Sequence, residues 1–174
     1  MIGKHIGPFL LRGDDPLMIE STHCATVRTE NTLMHAMLLL SSVGFTSVPV
    51  LDESSRLAGV ISMPRIFNGI LGDDDYHWDY LDVRKVRDVM EKDVPRVYLD
   101  SPLEDILRLL INANYLCVTD RDDIFKGIIA RKQILQRLNH LAHEFEVRYE
   151  VTEKKNDTSQ RSSENRRVNQ VKRV

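Results

Sequence analysis

Arg131 and Lys132 stand side by side immediately after the apolar run Gly127-Ile128-Ile129-Ala130. The change from apolar to cationic marks the place where a strand should end and a helix begin. A guanidinium can grip an anion through two parallel hydrogen bonds, and an ammonium beside it adds a point charge. The pair therefore reads as the anion end of a ligand pocket. The plainer alternative is a solvated helix start, where the helix dipole mildly disfavours positive charge. Other candidate chemistry is thinner. Cys24 has no neighbouring base and no CxxC partner, and Cys117, between Leu116 and Val118, reads as a small core residue. His140-x-x-His143-Glu144 puts two imidazoles at helical spacing, but it is not HExxH and brings no third ligand, so no metal is expected. There is no glycine-rich phosphate loop and no nucleophile with a base and an orienter, so the chain is expected not to be an enzyme.

Composition narrows the class. With 174 residues, 42% of them hydrophobic, the chain can bury a core as one domain or as two small joined ones. A formal charge of −2 gives no overall electrostatic case for nucleic acid or an acidic membrane surface. Two cysteines make no disulfide framework and fit a reducing compartment. The start of the chain lacks the pattern of a signal peptide, and no apolar run is long enough to span a bilayer, so a cytoplasmic location is expected.

The elements that must position Arg131 occur twice. In the first pass Asn31 reads as the N-cap of a helix bearing Leu33, Ala36, Met37 and Leu40, which Gly44 closes. Phe45 to Val50 reads as a strand, Asp52 to Ser55 as a turn, Leu57 to Ser62 as the antiparallel return, and a helix follows from about Pro64. The second pass begins at Val89. Val97 to Leu99 is a short strand, Ser101-Pro102-Leu103-Glu104 reads as a capping box, and the helix is expected to end on a left-handed Asn114. Tyr115 to Val118, Asp120 to Asp123 and Phe125 to Ala130 repeat the hairpin, and a helix runs from Arg131 to about His143. Asn31 pairs with Ser101 and Phe45 with Tyr115 at an offset of 70. After a two-residue deletion placed in the second strand region, Val50 pairs with Val118 and Gly59 with Gly127 at an offset of 68.

The expected fold is thus α+β: strand, helix, strand, strand, helix, twice, with the two units packed sheet against sheet. The expected boundaries are a leading helix and loop over 1–16, a first unit over 17–71, a connector over 72–87, a second unit over 88–143 and a polar, disordered tail over 144–174. The connector carries Asp73-Asp74-Asp75 with Tyr76 and Trp78, a solvated stretch or an anchor for a partner protein. From Val151 on, seven Lys and Arg stand against three Asp and Glu.

The unit order, the Val48-Pro49-Val50 strand and the glycine-led returns at Gly59 and Gly127 resemble the CBS domain, and two in tandem resemble a Bateman module. His23-Cys24-Ala25-Thr26-Val27, Gly44-Phe45-Thr46-Ser47-Val48-Pro49-Val50-Leu51-Asp52, Val94-Pro95-Arg96 and Gly127 to Lys132 further resemble the stand-alone cyclic-di-AMP receptors of Gram-positive bacteria, the DarB or CbpB group. The resemblance implies a CBS pair with one cleft walled by His23 and Ala25, by Phe45, Thr46 and Ser47, and by Arg131 and Lys132. In that cleft Arg131 and Lys132 would take phosphate, the hydroxyls of Thr46 and Ser47 phosphate or base, and Ala25 would leave room for an adenine.

Relatives that bind AMP or ATP carry a ribose-gripping aspartate in a Gly-x-x-Ser/Thr-x-x-Asp pattern. Here that position is Arg65 in the first copy and Gln133 in the second. Its loss favours a ligand whose 3′ oxygens are tied up in a phosphodiester, and it suggests unequal clefts, with the one near Arg65 empty or vestigial. The closer group often has paired arginines where this chain has Arg131-Lys132 and a lysine where it has His23, changes that point to weaker or altered ligand binding. What the resemblance implies is a non-enzymatic, homodimeric cyclic-di-AMP receptor without cofactor that holds or releases an effector, such as a bifunctional alarmone synthetase/hydrolase or pyruvate carboxylase. The alternatives are an AMP or ATP sensor, and a nucleic-acid or protein adaptor acting through the basic tail.

Overall fold

A computed structural model describes residues 16–148, with side chains through Glu144. The expected leading helix and the tail beyond Arg148 lie outside the described residues. Two sheets carry the fold. One holds β1 (Ile19–Glu20), β5 (Arg96–Tyr98), β6 (Tyr115–Thr119) and β7 (Phe125–Ala130) in the order β1-β7-β6-β5; the other holds β2 (Val27–Arg28), β3 (Ser47–Leu51) and β4 (Leu57–Ser62) in the order β2-β3-β4. The helices are α1 (Leu33–Val43), α2 (Met63–Ile70), α3 (Tyr80–Val83), α4 (Val86–Val89), α5 (Leu103–Leu110) and α6 (Arg131–Arg148). The last runs past His143, into the stretch read from sequence as tail.

The duplication holds strand by strand. β2 pairs with β3 in parallel, as β5 does with β6, and each hairpin is antiparallel with an irregularity at the same place, Val50/Leu51 and Val118/Thr119. Val48 and Val50 turn one face of β3 to the core of the first copy, and Leu116 and Val118 do the same for β6 in the second. Leu51, Cys117 and Phe125 form a third cluster with Leu57, Val60 and Ile128, where the two sheets meet. Both faces of β3 and β6 are therefore covered, which is why these strands read as continuous apolar runs without alternation.

The meeting of the copies is reciprocal. Leu57 N donates to Asp123 O and Phe125 N to Ser55 O, each at 3.0 Å, and Ser55 and Asp123 share a left-handed φ of 62°. Ser47 Oγ and Tyr115 OH, 68 positions apart in sequence, meet at 3.1 Å. These contacts straddle a local twofold relation between the copies. The lead-in segments obey it too: β1 pairs with β7 of the other copy, and Glu91 bridges Val60 of β4 through two backbone hydrogen bonds of 2.9 Å. This exchange was not foreseen from the sequence.

Four local expectations need correction. Thr32 caps α1, its hydroxyl accepting from His35 N at 3.3 Å, because Asn31 is used one residue earlier: its Oδ1 accepts from Arg28 N at 2.7 Å and closes the turn after β2. The capping box at Ser101 does not form. Ser101 Oγ accepts from Tyr98 N at 2.9 Å, and Pro102 is the cap. Helix α5 stops at Leu110, and Asn114 is not left-handed, Ser55 and Asp123 being the positive-φ non-glycine residues among those described. Finally, β3 and β6 match at the single offset of 68 from their first residues, Ser47 and Tyr115, so the two-residue difference lies in the helix-to-strand turn and not in the strand. Phe45 and Thr46 are the extra residues of the first copy. Thr32→Ala should lower stability by about 1 kcal/mol in urea denaturation, the usual loss for an N-cap hydroxyl.

Cys117 is fully buried, and burial first, then the nearby Cys24 sulfur, pushes its thiol up to about 12. At pH 8 it is held as the unreactive thiol. Iodoacetamide at that pH should label Cys24 first and leave Cys117 unmodified until the protein unfolds, as read by peptide mass spectrometry.

Candidate functional site

The last strand delivers Arg131. Ile129 is buried opposite Leu116, β7 ends with Ala130 opposite Tyr115, and α6 starts at the next residue. Gln133 Oε1 accepts from Ala130 N at 3.4 Å, so this residue, which stands where mononucleotide-binding relatives carry aspartate, helps to cap the helix. Arg131 is braced twice: its backbone N donates to Asn114 O and its Nε to Ala113 O, each at 2.8 Å. With Nε committed, the two terminal guanidinium nitrogens form the fork that can meet an anion. Beside them lies a pocket of about 550 Å³ lined by Asn114, Arg131, Lys132, Leu135 and Gln136. Its volume is in the range of small-molecule sites. The dipole at the start of this long helix adds its own preference for negative charge. Neither Arg131 nor Lys132 is in an ion pair among the described residues.

Of the residues singled out in the sequence, Arg131 and Lys132 share this pocket. Ser47 is joined to the same strand end through Tyr115, which is paired with Ala130 in the β6–β7 register. Burial first, opposed by the Ser47 hydrogen bond, raises the Tyr115 hydroxyl well above its usual range, so it serves as a neutral donor or acceptor. Phe45 and Thr46 are exposed in the turn between the Gly44 cap and β3. His23 is exposed at the end of a single 3-10 turn, with Thr22 Oγ1 3.2 Å from its Nδ1, and Ala25 packs on the core of the first copy. None of these four lines the pocket at Arg131.

Sequence reasoning passed over Asn114, Leu135, Gln136 and Tyr115. The signal for two of them was present: 131, 132, 135 and 136 fall on one helical face. Asn114 reads in the sequence as a helix end, and the sequence repeat pairs Tyr115 with Phe45, whereas in the fold its partner is Ser47.

The first copy is built differently: at the offset of 68, Met63 and Pro64 stand in place of Arg131 and Lys132, and Arg65 in place of Gln133. Arg65 on α2 forms an ion pair with Glu91, the residue that bridges β4. Its charge is answered by a carboxylate, whereas Arg131 has no carboxylate partner among the described residues. Among the described residues no group of three His, Cys, Asp or Glu side chains is placed to hold a metal ion.

Residues 17–72 and 86–140 each match the family model of the CBS domain. This chain is a tandem CBS-domain protein. Over 122 residues, 70% of its length, it is 38% identical to the cyclic di-AMP receptor B of Bacillus subtilis, covering 83% of that protein. Among solved structures it is similar to the Listeria monocytogenes CbpB protein in complex with c-di-AMP, at 36% identity and a TM-score of 0.68 over 72% of this chain and 94% of that one. It is also similar to CbpB from Streptococcus agalactiae, at 29% identity and a TM-score of 0.76 over 88% of this chain and 96% of that one. The tandem CBS-domain protein thus has the fold and the family expected from its motifs.

Proposed function

We propose that this tandem CBS-domain protein is a receptor that binds cyclic-di-AMP at the Arg131–Lys132 pocket and so changes its hold on an effector protein. The observation that carries the reading is a braced arginine, without a carboxylate partner among the described residues, at the head of α6 beside a pocket of ligand size. Relatives at 38% and 36% identity are a cyclic di-AMP receptor and a protein solved with c-di-AMP. In this reading His23, Ala25, Phe45, Thr46 and Ser47 complete the site around the bases, and the receptor is non-enzymatic, homodimeric and cytoplasmic. No described helix is long and apolar enough to cross a membrane. Leu135 and Leu138, exposed on α6, are apolar surface that a second protomer would cover. The effector would prefer the empty state, since a ligand can shift a partner only through differential affinity for the two states. A bifunctional alarmone synthetase/hydrolase and pyruvate carboxylase are the effectors to try first.

Thermal denaturation with cyclic-di-AMP, ATP, AMP and cyclic-di-GMP tests the ligand. At a hundredfold excess over Kd the right nucleotide adds about 2.7 kcal/mol, enough to raise Tm by several degrees. Cyclic-di-AMP should give the largest rise. A larger rise with AMP or ATP would replace this reading with that of a mononucleotide sensor.

A further inference from the structure

The connector between the copies forms a fixed projection that the nucleotide pocket does not use. Leu71 and Tyr76 bridge antiparallel, Gly72 N donates to Asp75 O and His77 N to Ile70 O, each at 2.8 Å, so a tight hairpin follows directly on α2. Its base is braced. The His77 and Tyr80 rings lie with centroids 4.9 Å apart, and the Arg84 guanidinium sits 4.5 Å over Tyr80 while donating to Gly69 O at 2.7 Å. On this base three rings gather: Phe67 meets Tyr76 at 6.0 Å and Trp78 at 6.4 Å, both edge-on, and Tyr76 meets Trp78 at 5.9 Å. Yet Trp78 is 56% exposed, Leu71 54% and Tyr76 42%. Aromatic and apolar side chains gathered in one place and left in water are the kind of surface that partners bind.

Charge says what would cover it. Asp73, Asp74, Asp75, Asp79 and Asp82 lie on the same segment as the rings, and no Lys or Arg occurs between Ile66 and Val83. Asp73, Asp74 and Asp79 enter no ion pair among the described residues. Ring faces and carboxylates alike attract cations and repel phosphate. We propose that the Phe67–Tyr76–Trp78 hairpin docks a basic, leucine-bearing segment of a partner protein, with a lysine or arginine lying on the rings and its charge answered by the aspartates of the same segment. The surface is separate from nucleotide binding, since none of its residues lines the Arg131 pocket.

The test uses a fluorescein-labelled synthetic peptide of arginine, leucine and lysine, and the same peptide with glutamate in place of its cations. Trp78 is the one tryptophan of the chain, so its emission reports on the surface directly. The basic peptide should shift that emission saturably and gain anisotropy. Trp78→Ala should weaken binding at least about tenfold, as loss of an interface aromatic does. The double change Asp73→Asn, Asp74→Asn should weaken it about threefold and flatten its salt dependence. Arg131→Ala should leave it unchanged, which separates this proposal from the nucleotide reading. Equal binding of the glutamate peptide, undiminished binding to Trp78→Ala, or no binding by the unaltered protein would overturn it. So would a blue shift of Trp78 with phosphatidylserine vesicles but not with peptide, or a change from dimer to monomer in Trp78→Ala, which would assign the surface to a membrane or to a second copy of the chain.

Discussion

Arg131→Ala should weaken cyclic-di-AMP binding by about thirtyfold or more, while Arg65→Ala changes it by less than about twofold. Loss of a charge-assisted, bidentate contact to a phosphate amounts to about 2 kcal/mol or more, and each 1.4 kcal/mol is tenfold in Kd. Both arginines lie in the first turn of the second helix of their copy, Arg131 at its first position and Arg65 at its third, and they differ in what they can offer. The Arg131 Nε is fixed to the Ala113 carbonyl, which aims the guanidinium without neutralising it. Arg65 is paired with Glu91, and any anion arriving there would compete with a carboxylate already in place. Arg131→Lys should recover little, because an ammonium cannot both hold the Ala113 carbonyl and present a two-pronged donor. Isothermal titration of the three variants reads the result, and equal losses from Arg65→Ala and Arg131→Ala would show that both clefts bind.

The largest effect on stability is expected from Gly127→Ala. Gly127 has φ of 151°, and a Cβ there would stand 2.0 Å from Ile19 O and 3.1 Å from Glu20 Cα. Those are backbone atoms of β1, so no side chain can turn aside to make room. The methyl group must either displace β1 from β7 or distort both, a loss of about 3 kcal/mol or more. Gly44→Ala is the control. Its φ of 66° is also left-handed, but nothing lies within 4 Å of the added carbon, so the loss should stay near 1–2 kcal/mol, the backbone term alone. Urea unfolding gives both values. Hydrogen exchange should show the β7 amides losing protection only in Gly127→Ala.

The duplication and the hairpins were legible in the sequence because they rest on local signals, apolar runs bounded by turn residues; Gly127 stood out only as the start of a repeated motif, and its close approach to the backbone of β1 is visible only in the structure. The exchange of Ile19–Glu20 and Glu91 between sheets was not legible, since a two-residue edge strand and a single bridging residue carry no periodicity of their own. Caps failed for a different reason. Asn31 and Thr32 are both good caps, and the Ser101 hydroxyl accepts from Tyr98 N in the turn before the helix; local turns decided which donor was used. The cations of the site could be read from type and position, but the uncharged walls of its pocket, Asn114, Leu135 and Gln136, emerged only once the start of α6 was placed against the turn before β6.

Calorimetric titration of the full chain with cyclic-di-AMP tests the central claim most directly. Saturable heat, lost in Arg131→Ala and kept in Arg65→Ala, is the expected result. No heat from the folded, unaltered protein would contradict the reading of Arg131 and Lys132 as the phosphate end of a cyclic-di-AMP site.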